Sequence, residues 1–290
     1  MMRTAAMQLS GWSQQGHLRA ANGDAWGAHV PPEPDRLARQ GALLAIAEGY
    51  GADGREIPWL GSQVLQALGR RFYAGDGDRA AQLLAGAQEA NRLVLGRRRQ
   101  PGLTGSFAGL VAAVATPGEA VLAQVGDGQA FLLRNRLVSP VFPWPRPMNA
   151  GEPLCRPGPR RLDVALGGQL SVPVRLSRFG LQPGDQLLLC SGGFSAELPA
   201  WPGWAALPDP AEIVRAVDDG GGRQNRTVVM LRVPEPPHPS PPPSPGLFSV
   251  STARPAVSGA GPDWQPVFEV LGPVAVALAL AAMAMAAMSR

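Results

Sequence analysis

The segment with the clearest chemical potential is Ser191-Gly192-Gly193, which directly follows a predicted buried strand over residues 187–190. A Pro183-Gly184-Asp185 turn precedes that strand. Loops at the ends of strands are where a rigid scaffold holds metal ions and phosphates. A hard cation in such a loop needs oxygen ligands, and Gly192 has no side-chain oxygen to offer. The segment therefore has the position of a metal-binding loop but lacks a ligand at Gly192.

Four other short segments combine acidic, amide or arginine side chains with small residues. They are Arg19-Ala20-Ala21-Asn22-Gly23-Asp24, Ala47-Glu48-Gly49-Tyr50-Gly51, Val125-Gly126-Asp127-Gly128 and Gln224-Asn225-Arg226-Thr227. Taken singly, each has an ordinary structural explanation. Asp24 and Asp127 suit tight turns, and Glu48 could simply pair with an arginine. For Asp24 and Asp127, turn chemistry and a site remnant are equally good explanations.

The order and spacing of these segments, with Cys190-Ser191-Gly192-Gly193 as the fourth, resemble the metal-dependent protein serine/threonine phosphatases of the PPM, or type 2C, family. The resemblance covers residues 5–233. It includes a helix pair after the second segment, a hairpin before the third and a Leu-x-Pro-Gly-Asp strand before the fourth. It implies an α+β fold, a layered β-sandwich flanked by helix pairs.

Such a family needs carboxylates for a physical reason. Phosphoester hydrolysis at neutral pH requires cations that polarise the phosphoryl oxygens and convert a bound water into hydroxide. Two cations about 3.5–4 Å apart do both. Magnesium and manganese take oxygen ligands, and two crowded dications need several anionic groups around them.

The resemblance implies a role for each residue that matches the family pattern. Arg19 stands at the phosphate-binding arginine, and Asp24 at the acidic residue that orients metal-bound water. Glu48 replaces the aspartate that bridges both metals, and Gly49 matches the backbone-carbonyl ligand. Asp127 matches an acidic residue linked to a weaker third metal.

Other positions depart from the family pattern. Gly23 replaces a metal-associated glutamate, and Gly192 and Gln224 each replace a metal-binding aspartate. Asp53 falls where many members have a histidine that acts as proton donor. The helical flap of the family is reduced to a Pro-rich stretch over residues 139–161.

The acidic residues that remain are too few for a standard pair of metals. Glutamate is one methylene longer than aspartate, which displaces the Glu48 oxygens by about 1.5 Å. Two dications facing essentially one carboxylate would repel each other strongly. We therefore expect no bound metal, or only weakly bound manganese or magnesium, and no confident catalytic residue.

The expected function is that of a pseudophosphatase, a binding or regulatory module for a protein partner such as a phosphoprotein held through Arg19. The alternative is an active phosphatase in which Asp24, Asp53 and Asp127 rebuild a metal site, with Glu48 as a further ligand. A third interpretation is a structural module acting at a membrane, with Trp201 and Trp204 as an exposed docking patch.

Local patterns predict the elements that must position these segments. Strands are predicted over residues 26–30, 42–47, 106–115, 120–125, 129–133, 137–138 and 226–233. Helices are predicted over residues 57–73, from an Asp78 cap to Leu95 with Gly96 as the stop, and from the Asp209 capping box to about Val217.

Composition indicates a globular protein, with 45% hydrophobic and 17% charged residues among 290. A net charge of +4 permits an acidic partner or an anionic membrane surface. No aromatic residues interleave with the arginines at 97–99 and 160–161, so we expect no nucleic-acid partner. Cys190 is predicted to be a small core residue, and no Cys/His spacing indicates zinc.

Three zones differ in composition: a domain over residues 1–233, a disordered Pro/Ser-rich linker over 234–266, and a C-terminal segment over 267–290. Residues 270–288 contain no charge, which predicts a single transmembrane helix. A helix packed on the domain is the alternative. Because the N-terminus lacks the apolar run of a signal peptide, the domain is expected in the cytoplasm.

Overall fold

A computed structural model describes residues 7–101, 103–142, 164–195, 209–218 and 222–235. The strands within these residues are β1 (Gln8–Gln14), β2 (Asp24–His29), β3 (Ala42–Tyr50), β4 (Phe107–Thr116), β5 (Glu119–Val125), β6 (Gln129–Arg134), β7 (Leu137–Pro140), β8 (Arg175–Gly180), β9 (Gln186–Cys190) and β10 (Arg226–Arg232). The helices are α1 (Pro34–Gln40), α2 (Pro58–Tyr73), α3 (Arg79–Arg97), α4 (Gly192–Ser195) and α5 (Pro210–Asp218).

The strands form two five-stranded sheets, and the strand pairings within them are antiparallel. The first sheet has the order β1-β10-β9-β6-β7, and the second has the order β2-β3-β4-β5-β8. The two sheets pack on each other through apolar side chains that alternate with those facing outward. The α+β sandwich that the sequence predicted is therefore confirmed.

Three apolar layers hold the sandwich together. Between the sheets, residues such as Leu44 and Ile46 of β3 meet Leu189 of β9. The outer face of the second sheet packs against α2 and α3. The outer face of the first sheet packs against Ile213 and Val214 of α5. The predicted helix pair is α2 with α3 on the second sheet, and on the first sheet α5 is accompanied, among the described residues, by the short α4.

The two long helices follow the predicted apolar spacing. Pro58 opens α2, whose buried side chains recur at the spacing of one helical face. Asp78 caps α3, since its Oδ2 accepts a hydrogen bond from Ala81 N at 3.1 Å. The predicted stop at Gly96 is wrong. The C-terminal cap is Arg98, with φ −57°, and its guanidinium lies over the Phe107 ring at 4.7 Å.

Four elements were not predicted from the sequence: β1, α1, β8 and the four-residue α4, which lies where a loop was predicted. Strands β1 and β8 lie at sheet edges and alternate between half-buried and exposed positions, so they lack a continuous apolar run. Helix α1 is seven residues long and opens with Pro34. Short or half-exposed elements give a weak periodic signal, which explains the omissions.

Cys190 ends β9 in the core beside α5, as predicted, and burial raises the pKa of its thiol well above the usual value. Several other features predicted from the sequence lie wholly or mostly outside the described residues: Trp201, Trp204, the Pro-rich stretch over 139–161, the linker and the predicted anchor at 270–288. Among the residues that the structure does describe, no helix is both long enough and apolar enough to cross a bilayer.

Candidate functional site

The five sequence segments converge at one end of the sandwich. Asp24 begins β2, Glu48 lies near the end of β3, and Asp127 lies in the loop between β5 and β6. Gly192 begins α4 directly after β9, and Gln224 lies just before β10. An open pocket at this end is lined by Arg19, Asp24, Glu48, Tyr50, Gly54, Glu56, Gln224 and Asn225. The structure thus brings most of the predicted site residues together.

Strand register places Asp24 directly opposite Glu48 in the antiparallel pair of β2 and β3. Opposed residues in such a pair project from the same face of the sheet. The Thr227 hydroxyl, from the facing sheet, donates to Asp24 Oδ2 at 2.8 Å. Ser13 Oγ lies 2.7 Å from that hydroxyl and accepts a hydrogen bond from Asn22 Nδ2. Asp24 is therefore held in place by a network that joins the two sheets.

The Glu48 carboxylate is hydrogen-bonded to the backbone of the segment that follows β9 in the other sheet. Glu48 is only 4% exposed, and its Oε1 accepts a hydrogen bond from Gly192 N at 2.6 Å. A backbone amide donating to a buried carboxylate is a strong, charge-assisted contact. One oxygen of Glu48 is thus engaged by the loop that contains Gly192.

The turn before β9 fixes the position of that loop. Asp185 is buried, and its carboxylate accepts hydrogen bonds from Gln182 N and from the Arg134 guanidinium. Burial disfavours the charged form, but the contacts with Arg134 and Gln182 outweigh it and keep the pKa of Asp185 below its usual value. The turn fixes the start of β9, and Gly192 lies two residues after the end of that strand.

The space that a side chain at position 192 would occupy is filled by Asp127. A β-carbon on Gly192 would overlap the whole Asp127 carboxyl group. Gly126 has φ +97°, a conformation that favours glycine, so the tight-turn explanation of the segment also holds. Asp127 is therefore both a turn residue and the carboxylate that stands closest to the missing ligand's position.

The space beside Gly23 is filled by a second carboxylate, that of Glu56. A β-carbon on Gly23 would overlap Glu56 Oε2 and would lie 2.6 Å from the Gly49 carbonyl oxygen. Sequence analysis did not identify Glu56 as a site residue. The available signal was the Asp53-Gly54 dipeptide, which is typical of a turn that returns the chain to its starting point.

Arg19 is held between two side chains of the pocket. Its guanidinium donates to Gln224 Oε1, and its Nε lies 3.5 Å from Glu56 Oε1. The side chains of Arg19 and Glu56 are 22% and 14% exposed, so this ion pair lies inside the pocket and not on the open surface. Gln224, at the position of a missing metal ligand, thus serves as an acceptor for Arg19.

Asp53 is not part of this arrangement. Its side chain is 62% exposed and its Oδ2 lies 3.6 Å from Arg55 Nε. The pocket lining, among the described residues, includes the neighbouring Gly54 but not Asp53. The structure therefore does not support a role for Asp53 as proton donor or as part of a rebuilt metal site.

These residues do not fit a pair of divalent cations as they are arranged. Positions 23, 192 and 224 offer no carboxylate, which leaves Asp24 and Glu48 as the acidic side chains that the five segments bring to the pocket lining. In the part of the chain that the structure describes, no group of three or more His, Cys, Asp or Glu side chains is placed to hold one metal ion. Three protein ligands around an ion is a common minimum for a functional centre.

Comparison with known proteins identifies the fold. No protein-family model and no curated protein sequence matches the chain. Solved structures of bacterial serine/threonine phosphatases do match it. The PPM phosphatase MsPP of Mycobacterium smegmatis, solved with cacodylate, is 25% identical with a TM-score of 0.61, over 78% of this chain and 98% of its own.

Two further matches agree with the first. PstP of Mycobacterium tuberculosis is 24% identical with a TM-score of 0.61, over 79% of this chain and 99% of its own. Stp1 of Staphylococcus aureus is 17% identical with a TM-score of 0.66, over 80% and 97%. The chain therefore has the fold of the PPM-type serine/threonine phosphatases, which confirms the resemblance carried by the five segments.

The metal chemistry of this fold is documented in one of the similar structures. The catalytic domain of PstP has been solved in complex with two manganese ions, and it is 23% identical to this chain. That centre belongs to PstP. In the present chain the corresponding end of the sandwich has glycine at positions 23 and 192 and glutamine at 224.

Proposed function

We propose that this chain is a catalytically impaired PPM-type phosphatase domain that acts as a binding or regulatory module, with a phosphorylated protein as its partner. The observation that carries the proposal is the reoccupation of two ligand positions. The spaces beside Gly23 and Gly192 contain the carboxylates of Glu56 and Asp127, while Asp24 and Glu48 are engaged by hydrogen bonds. Arg19 remains as the cationic group of the pocket.

The acidic groups of the pocket lack the arrangement that metal-assisted hydrolysis needs. Hydrolysis by this fold needs cations to polarise the phosphoryl group and to lower the pKa of a water molecule. In this pocket the acidic groups are directed to an arginine, a hydroxyl and a backbone amide. Without a pair of cations, the pocket retains the means to recognise a phosphoryl group through Arg19 but not to activate a nucleophile.

The first prediction concerns metal binding and turnover. Because no group of three or more His, Cys, Asp or Glu side chains among the described residues is placed to hold one ion, calorimetric titration of the full-length protein with manganese should show no binding in the micromolar range, and hydrolysis of an aryl phosphate should not exceed that of buffer. The manganese-binding catalytic domain of PstP serves as the positive control for both assays. Micromolar binding with turnover that Asp127→Ala abolishes would contradict the proposal.

A second candidate function is an active phosphatase with a rebuilt metal site. It is favoured by one observation: Asp127 and Glu56 bring carboxylates to the spaces of two missing ligands, so the pocket region contains four acidic side chains and not one. This alternative requires rearrangement of the Arg19–Glu56 ion pair. In that case Glu56→Gln and Asp127→Asn should each remove both manganese binding and turnover.

The second prediction concerns the C-terminal segment. We propose that residues 270–288 anchor the chain in a membrane with the domain on the cytoplasmic side, because 19 consecutive residues without a charge match the thickness of a hydrocarbon core. The full-length protein should partition with the membrane fraction, and deletion of residues 267–290 should release it. A full-length protein that stays in the soluble fraction would show the anchor to be wrong.

A further inference from the structure

A tight loop after β3 brings Glu56 back to the pocket. Gly51 N donates to Arg55 O at 2.8 Å, and Tyr50 forms an antiparallel bridge with Glu56. The next residue, Ile57, donates its amide to Gly49 O at 2.8 Å. Backbone hydrogen bonds on both sides therefore fix the position of Glu56, so its side chain enters the pocket as a consequence of the fold.

The two oxygens of Glu56 have different surroundings. Oε1 lies 3.5 Å from Arg19 Nε, and Oε2 occupies the space beside Gly23 that any larger residue would fill. A glycine at position 23 is thus what allows this carboxylate to reach Arg19. The contact depends on a residue that departs from the family pattern.

One edge of the Arg19 guanidinium, formed by Nε and Nη2, already faces protein acceptors. Its guanidinium donates to Gln224 Oε1, and the side facing Glu56 is occupied by a carboxylate. Arginine binds a phosphoryl group best through two parallel N–H donors, the same geometry with which it binds a carboxylate. A phosphoryl group that enters the pocket must therefore compete with Glu56 for Arg19.

Charge and burial strengthen that competition. The ion pair is mostly shielded from solvent, so its attraction is screened less than that of a surface pair. Glu56 also shares the pocket with Asp24 and Glu48, and three carboxylates in a pocket with one guanidinium disfavour the entry of a dianion. Loss of the Glu56 charge would both release Arg19 and reduce this repulsion.

We propose that Glu56 is a built-in competitor of the phosphoryl group, which keeps the Arg19 pocket in a low-affinity state until Glu56 is displaced. The proposal rests on the proposed function, in that the pocket recognises the phosphoryl group of a phosphorylated serine or threonine. A partner that engages the 51–56 loop would switch the pocket to high affinity by moving this one carboxylate.

The third prediction tests this competition in the full-length protein. Isothermal titration with inorganic phosphate, and separately with O-phosphoserine, compares the wild type with Glu56→Gln, which keeps the size of the side chain and removes its charge. The variant should bind both probes about tenfold more tightly. Adding Arg19→Gln to the variant should remove the gain.

Matched controls keep the result interpretable. Glu89→Gln makes the same charge change on α3, where Glu89 pairs with Arg92 on an exposed face, and it should leave phosphate affinity unchanged. Glu56→Ala is a second variant of the same position, and melting curves establish that each protein is folded. Serine in place of O-phosphoserine controls for binding that does not depend on the phosphoryl group.

The outcomes separate the competitor role of Glu56 from phosphoryl recognition by Arg19. Tighter binding by both Glu56 variants, lost with Arg19→Gln, supports the competitor role. Equal affinity of wild type and Glu56 variants, lost with Arg19→Gln, overturns the competitor but leaves phosphoryl recognition by Arg19 in place. If neither the wild type nor any Glu56 variant binds either probe, phosphoryl recognition by the pocket is itself overturned, and the competitor role with it.

Discussion

Gly192→Asp, which restores a family ligand, is expected to lower the free energy of unfolding by about 3 kcal/mol. A β-carbon at position 192, which is buried, would overlap the Asp127 carboxyl group, so the Asp127 side chain must move to make room for the new one. Its charge would also stand against that of Asp127, and two neighbouring carboxylates cannot both ionise without cost. For a domain of this size, the melting temperature should fall by about 6–12 °C.

The three atoms nearest to a β-carbon at position 192 belong to the Asp127 side chain, so a second substitution at position 127 can remove the overlap. Gly192→Asp combined with Asp127→Gly moves the carboxylate from one loop to the other and should recover most of the lost stability. Thermal unfolding of the two single variants and the double variant gives the interaction energy directly. If Gly192→Asp alone unfolds at the wild-type temperature, the space beside Gly192 is not filled by Asp127.

Gly23→Glu, the second restored ligand, is expected to lower the free energy of unfolding by about 3 kcal/mol as well, but for a different reason. Here a β-carbon would overlap Glu56 Oε2 and lie 2.6 Å from the carbonyl oxygen of Gly49. The side chain can move, whereas that carbonyl belongs to β3 and accepts a hydrogen bond from Ile57 N.

The double variant Gly23→Glu with Glu56→Gly should therefore recover only part of the loss. Chemical denaturation of the single and double variants, compared with the pair at positions 192 and 127, measures the difference. Gly23→Ala is the matched control, since it introduces the overlap with Gly49 without adding a charge. Full recovery by the Gly23/Glu56 double variant would show that the backbone of β3 accommodates a side chain at position 23.

Much of this fold was predictable because its strong signals lie in buried elements. Strand β3 is buried at each of its nine positions and α2 has a regular apolar face, and both were predicted close to their observed bounds. In the structure, the strands that flank the five segments bring them to one end of the sandwich. Edge strands such as β1 escaped prediction because half-exposed alternation is compatible with other conformations.

The part of the site that the sequence did not reveal depends on which side chain fills the space beside a glycine, and no sequence motif records that. Glu56 lies outside the five segments, and its role follows from the turn at residues 51–55 and from the absence of a side chain at Gly23. A sequence shows that a ligand is missing, but only coordinates show what occupies its place. The same holds for Gln224, whose contact with Arg19 is made across 205 residues of chain.

The carboxylates of Glu56 and Asp127 hinder any return of side chains at positions 23 and 192 by single substitutions. At positions 23 and 192, a carboxylate that a laboratory evolution experiment tries to introduce meets an occupant, so the first substitution is penalised before the second can relieve it. A selection that accumulates single changes would stall at that barrier. Libraries that vary positions 192 and 127 together avoid it, and that pair is the more accessible route because no main-chain atom blocks it.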